Sequence, residues 1–152
     1  MRFTVLALVL ALASCSSVQT TKGGAAPNLS AFASSEPFSV AVSAPTPQLE
    51  RLIQEYVATE FGRSLRITDG SGGQGTIEVT YASSGQSNNF ADWRNSTMLV
   101  VIRTPGKERL WTGEYDYKGG MELSGFTVTT AEEAAKLVVQ RIAKKFEADI
   151  RH

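Results

Sequence analysis

The chain has one cysteine and one histidine in 152 residues. A lone cysteine excludes an internal disulfide, so the core alone must hold the fold. The histidine is His152, the last residue of the sequence, so a Ser-His-acid arrangement would have to rest on a fraying terminus, and a cluster of histidine metal ligands cannot be built from one imidazole. Excess charge of one sign is also missing, since 15 lysines and arginines face 15 aspartates and glutamates. Such a chain makes no basic field for nucleic acid or for anionic lipid. The apolar run from Phe3 to Ala13 is about half the roughly 20 residues that a bilayer-spanning helix needs. These absences exclude disulfide scaffolds, histidine-based hydrolases, nucleic-acid binders and an N-terminal membrane span.

That apolar run follows one basic residue, Arg2, and ends in Leu12-Ala13-Ser14-Cys15. A basic start, an apolar stretch and small residues form the layout of a secretory signal peptide. The thiol is the side chain here nucleophilic enough to take an alkyl group readily, and Ala13 and Ser14 leave room around the bond before it. Leu-Ala-Ser-Cys resembles the processing box of bacterial lipoproteins in full. The resemblance implies that the Cys15 sulfur receives a diacylglyceryl group, that a peptidase cuts before it, and that Cys15 becomes the N-terminus. Residues 1–14 are then a signal peptide, and 138 residues remain, the size of one ordinary domain. Without Arg2 the mature chain keeps 14 basic residues against 15 acidic ones. By the same resemblance, Ser16 stands where an aspartate retains many such lipoproteins in the inner membrane. The expected location is therefore the outer membrane, with the domain facing the periplasm.

Residues 15–37 read as the lipidated cysteine and a flexible tether. Ser, Thr, Gly, Ala, Pro and Asn dominate Ser16 to Pro37, with Val18, Leu29 and Phe32 as isolated apolar residues. As a coil its roughly 22 residues would span about 25 Å, with Leu29 and Phe32 able to dock on the domain. A single α+β domain, residues 38–152, follows. Phe38 to Val42 alternates like a strand. Thr46 and Pro47 open an amphipathic helix whose Leu49, Leu52, Ile53, Tyr56 and Val57 share a face until Gly62. Thr76 to Tyr81 alternates as a strand, Met98 to Ile102 is continuously apolar and expected at the sheet centre, and Leu110 to Tyr117 returns after a Pro105-Gly106 turn of expected type II. Thr130 and Glu133 spell a capping box for a closing helix with Ala135, Val138, Val139, Ile142, Phe146 and Ile150 inward. The order β-α-β-β-β-α predicts a mixed sheet of about four strands with two helices on one face.

Three stretches carry candidate chemistry. Asp69 to Gly75 has the glycine content of a phosphate-cradling loop but runs into Thr76-Ile77-Glu78 rather than into Gly-Lys-Ser at a helix start, so it reads as a turn. Ala82 to Ser96 is polar, reads as the longest irregular connection in the domain, and contains Phe90, Trp93 and Arg94, residue types that anchor protein contacts. Trp111, Tyr115 and Tyr117 share one face of a strand and either pack the core or stack on sugar rings. Carboxylate pairs drawn from Asp69, Asp92, Glu114 and Asp116 have no spacing that brings two together. Metal and cofactor sites are not expected, nor is enzymatic activity.

Leu110-Trp111-Thr112-Gly113 on the last strand and the Glu132-Glu133-Ala134-Ala135 helix ending near Phe146 resemble small bacterial lipoproteins of an uncharacterised domain family, over about Phe38 to Ile150. A similar two-helix sheet occurs in the lipopolysaccharide-assembly lipoprotein that plugs an outer-membrane barrel. With little for catalysis to stand on, the first reading is a non-enzymatic interaction or accessory module of an outer-membrane complex, held to the membrane by the lipid on Cys15 and meeting an envelope protein through Phe90, Trp93 and Arg94. A peptidoglycan or envelope-glycan binder using Trp93, Trp111 or the tyrosines is the alternative, and an acid-dependent glycan enzyme a third reading.

Overall fold

The computed structural model describes residues 19–21, 25–69, 75–88, 91–119 and 130–151. The elements in chain order are β1 (Gln19–Thr21), α1 (Leu29–Ser35), β2 (Pro37–Ser43), α2 (Pro47–Phe61), β3 (Arg66–Ile67), β4 (Gly75–Asn88), β5 (Ala91–Arg103), β6 (Arg109–Gly119) and α3 (Ala131–Ile150). They build an α+β domain around one mixed sheet, ordered β1-β6-β5-β4-β2-β3. β2 is parallel to β3 and β4, and the other pairs are antiparallel.

Local rules start both long helices. The Thr46 hydroxyl accepts the Leu49 N–H at 3.3 Å, and Pro47, whose missing N–H is one the first turn would leave unpaired anyway, takes the first helical position. At α3, Thr130 Oγ1 accepts the Glu133 N–H at 3.1 Å while the Glu133 carboxylate accepts the Thr130 N–H at 3.4 Å, completing the capping box. Leu49, Ile53, Val57 and Phe61 of α2 are buried, with Leu52 and Tyr56 at the half-exposed margin. Val138, Val139, Ile142 and Phe146 of α3 meet Ile77, Val79 and Tyr81 of β4, Met98, Val100 and Ile102 of β5, and Trp111 and Tyr115 of β6 in one buried cluster. Each large apolar side chain removed from water here contributes about 1.5–3 kcal/mol.

Two polar handles tie α3 to the sheet. Near its start, Tyr81 Oη donates to the Ala131 carbonyl at 3.1 Å and lies 3.0 Å from Ser96 Oγ, which donates to Ser83 Oγ at 3.2 Å. Near its end, Trp111 Nε1 donates to Asp149 Oδ2 at 2.8 Å, and Lys145 pairs with the same carboxylate at 3.2 Å. The indole also stands edge-on to Phe146, ring centres 5.1 Å apart, and to Phe61 at 6.5 Å. Trp111 is wholly buried, which settles its face as core.

The structure differs from the sequence reading in four places. The sheet has six strands rather than four, because the two-residue β3 and the three-residue β1 pair at its edges. The tether expected through Pro37 is folded from residue 25 onward: the Ala26 N–H donates to the Leu110 carbonyl at 2.7 Å, Leu29 and Ala33 of α1 enter the core, and Phe32 packs against it. Ala82 to Ser96, read as an irregular connection, instead carries β4 and β5 onward as a paired hairpin, in register from Thr76 opposite Arg103 to Asn88 opposite Ala91. β5 is central as expected, with Met98, Val100 and Ile102 buried and Leu99 and Val101 half-exposed on the face without helices. Finally, the Thr104–Lys107 turn is closed by the Lys107 N–H to the Thr104 carbonyl at 2.9 Å, but the positive φ of 63° falls on Lys107, not on Gly106. That is a type I turn followed by a left-handed residue, a common three-residue hairpin loop.

Candidate functional site

The residues singled out from the sequence fall into two regions. Cys15, Phe90 and His152 lie outside the described residues, as does Met121 to Val128, whose mix of apolar and polar residues reads from the sequence either as a loop or as a short extra strand. Trp93 and Arg94 stand on β5, opposite Gln86 and Gly85 of β4, and Arg94 also pairs in register with Gly119 at the end of β6. The hairpin therefore outruns β6 by three register positions on the β5 side and outruns β2, whose last partner is Thr80, on the β4 side. Asn95, Thr97 and Leu99 alternate along β5 and share one face of the strand.

That face is the one the helices leave uncovered. Across it run Thr76, Glu78 and Thr80 of β4, Thr97, Leu99, Val101 and Arg103 of β5, and Thr112, Glu114 and Asp116 of β6, all exposed or half-exposed. Charges there are tied in place: Arg103 Nε donates to Glu78 Oε2 at 2.8 Å and its Nη1 to the Lys107 carbonyl at 3.2 Å, while Thr97 Oγ1 donates to Asp116 Oδ1 at 2.7 Å. Leu99 and Val101 make a small apolar strip between these polar pairs.

The acid candidates do not converge. Asp69 ends the described stretch before β4, Asp92 pairs in register with Ser87, and Asp116 already accepts a hydroxyl from Thr97. Among the described residues no three histidines, cysteines, aspartates or glutamates are grouped to hold a metal ion. Among the described residues one ionisable group stands out: burial pushes the Tyr115 phenol above its ordinary value of 10.0, with the Arg141 guanidinium pulling the other way, so it serves as a neutral core group. Gly75 does not open a helix but begins β4, packed under Phe38. The phosphate-loop reading thus has no helix N-terminus to use.

The sequence did not reveal the two aromatic-over-glycine pairs that shape the sheet. A Cβ on Gly113 would lie 2.2 Å from Trp111 Cη2, and one on Gly75 would lie 2.4 Å from Phe38 Cε1. The Leu-Trp-Thr-Gly signature is therefore a packing unit, in which the indole occupies the space that a side chain on the glycine two residues on would need. Its spacing of two on a strand was the available signal.

This geometry defines a class, an α+β domain whose mixed sheet is covered by helices on one face and open on the other. No family model matches the chain, and no curated protein matches its sequence. Solved structures do match. The PelC dodecamer from Paraburkholderia phytofirmans superposes with a TM-score of 0.53 at 10% identity, over 82% of this chain and 92% of that one. A PDZ domain protein from Parabacteroides distasonis gives 0.51 at 13% identity, over 85% of this chain and 36% of that one. The lipoprotein GNA1162 from Neisseria meningitidis gives 0.49 at 7% identity, over 74% and 98%. What is shared at such identities is the fold.

Proposed function

We propose that this chain is a lipid-anchored envelope lipoprotein whose domain acts as a non-enzymatic interaction or accessory module of an outer-membrane complex. The observation that carries the reading is Leu12-Ala13-Ser14-Cys15, the chain's one thiol placed directly after a signal-type apolar run. Three structural facts support it. No helix among the described residues is long and apolar enough to cross a membrane, so a lipid on Cys15 is the attachment the chain itself offers. The acids that an enzyme reading needs are scattered or already bonded. The open sheet face, with Leu99 and Val101 between the Arg103–Glu78 and Thr97–Asp116 pairs, offers a protein partner an ordered surface.

The glycan-binding alternative loses most of its residues. Trp111 is wholly buried, Tyr115 is 3% exposed, and Tyr117 packs against the core, leaving Trp93 alone for sugar stacking. PelC, similar in fold, forms a dodecamer, which makes self-assembly the first form of partner to examine by measuring the mass of the detergent-solubilised protein. The anchor is tested by metabolic labelling with a clickable fatty acid, followed by density-gradient fractionation. The native chain is expected to carry the label and to sediment with outer-membrane markers, and Cys15→Ala to lose the label and keep its signal segment. Label on Cys15→Ala would refute the anchor, and an inner-membrane position would refute the location.

A further inference from the structure

β1 changes what the lipid on Cys15 can do. The strand begins at Gln19, and its register against β6 runs from Gln19 opposite Asp116 to Thr21 opposite Glu114. Read backwards from Thr21 to Gln19, the chain therefore heads toward Gly119, the end of β6 that pairs with Arg94. Four residue steps separate Gln19 from Cys15, at most about 14 Å of extended chain. A cysteine on so short a lead cannot hold the domain at the roughly 25 Å that an unstructured tether through Pro37 would allow. It holds the domain close, and by one chosen end of the sheet.

At that end the β4–β5 hairpin projects. From Gln19's partner Asp116 to Gly119 is three residues, and from Gly119's partner Arg94 to Ala91 three more, together about 20 Å along the strands. The projecting part carries Trp93 on β5, Arg94 stands at its base opposite Gly119, and Lys118 lies one register step below, opposite Asn95. On its β4 arm, Tyr81 to Asn88 has no charged residue, and Asp92 is the one acid on the β5 arm above Arg94. Tryptophan flanked by arginine and lysine is the composition found at membrane interfaces, where the indole sits among headgroups and the cations stay wet.

We infer that the end of the β4–β5 hairpin bearing Trp93 and Arg94 rests in the headgroup layer of the leaflet that holds the Cys15 lipid, fixing the orientation of the domain on the membrane. The inference rests on lipidation at Cys15. It adds a second, protein-borne contact, so that the strands stand toward the bilayer and the Thr104–Lys107 turn, at the opposite end of β5 and β6, points away.

The test uses the full chain, lipidated in cells and reconstituted into phosphatidylethanolamine–phosphatidylglycerol vesicles whose acyl chains are brominated near the headgroup. Intact mass first establishes that Cys15 carries lipid. The chain has two tryptophans, and Trp111 is buried in the core, so the quenched signal is the difference between the native protein and Trp93→Phe. The expected result is loss of emission from one of the two indoles in the native protein and no comparable loss in Trp93→Phe. A second readout inserts ten Gly-Ser residues between Cys15 and Gln19, and weaker quenching is expected once the lead no longer presents the hairpin. Lipid on Cys15 with equal quenching in native protein and Trp93→Phe would overturn the inference while leaving the anchor standing. So would unquenched Trp93 together with loss of a co-purifying protein in Trp93→Ala, which would assign the hairpin to a protein partner. Unmodified Cys15 would instead remove the anchor reading itself.

Discussion

Gly113→Ala tests the packing unit at the centre of the domain. A methyl group there would lie 2.2, 2.8 and 2.9 Å from three carbons of the Trp111 indole, where van der Waals contact needs about 3.5 Å. The ring would have to retreat by roughly 1 Å. It has nowhere to go: Phe146 holds one side at 5.1 Å between centres, Phe61 stands at 6.5 Å, and the Nε1–H is fixed to Asp149 at 2.8 Å. Overpacking of a rigid core costs about 1–3 kcal/mol, and with three restraints on the ring the upper end applies. For a domain of this size about 3 kcal/mol lowers the melting temperature by roughly 10 °C. The clash, rather than lost glycine flexibility, predicts coupling: Trp111→Phe shortens the ring, so the double variant should lie at least about 1 kcal/mol above the sum of the single losses. Thermal melts followed by near-ultraviolet circular dichroism measure all four proteins. A Gly113→Ala melt within 2–3 °C of the parent, roughly 1 kcal/mol at this size, or strictly additive losses, would show that the indole does not press on Gly113.

Lys107 holds a φ of 63°, a region costing an L-residue about 1–2 kcal/mol, so Lys107→Gly should raise the urea midpoint by the equivalent of about 0.5–1 kcal/mol after the glycine's own chain entropy is subtracted; a lowered midpoint would contradict the turn geometry. Thr112 Oγ1 is buried and has no hydrogen-bond partner among the described residues, so Thr112→Val should be neutral or stabilising by up to about 1 kcal/mol, and a loss larger than that would reveal a partner. Tyr115 titrates above 10.0 in the fold, so its contribution is intact below pH 10 and falls as pH rises through the folded value; the melting temperature should decline more steeply above pH 10 in the native chain than in Tyr115→Phe, and parallel declines would refute a role for that phenol. Trp93→Ala should leave the melting temperature within about 2 °C of the parent, because the hairpin end lies beyond the helices; a drop worth several kcal/mol would make that residue core instead.

Where one local rule determined one element, the sequence was readable. Thr46-Pro47 and the Thr130–Glu133 box start helices whatever the rest of the chain does, because they satisfy N–H groups that every helix start leaves free. The buried spacing of Val138, Ile142 and Phe146 likewise needs only a helical period. The hairpin beyond Tyr81 was misread for the opposite reason. α3 starts at Ala131, pinned to Tyr81, so the strands past that point have less of the helical layer to cover them, and the apolar alternation that marks a half-buried strand fades into Ser, Gly, Gln and Asn. The backbone ladder continues nonetheless, since its hydrogen bonds depend on the neighbouring strand and not on which side chains are buried. β1 and β3 are shorter still and exist by pairing with a longer neighbour, information that no window of their own residues contains.

The two tryptophans show how much of the site could be read in the same way. Both sit on long antiparallel strands, and composition alone gives each an aromatic suited to a partner or to a core. What separates them is the position two residues on. After Trp111 comes Gly113, an empty place on the same face, and the ring folds over it into the space below α2 and α3. After Trp93 comes Asn95, which is exposed, and the strand has passed the start of α3. An indole in a sheet is buried where the sheet supplies a glycine beneath it and a helix above it. Trp93 stands on β5 opposite Gln86, near the end of the sheet toward which β1 leads back to Cys15, and its role must come from whatever surface that end meets.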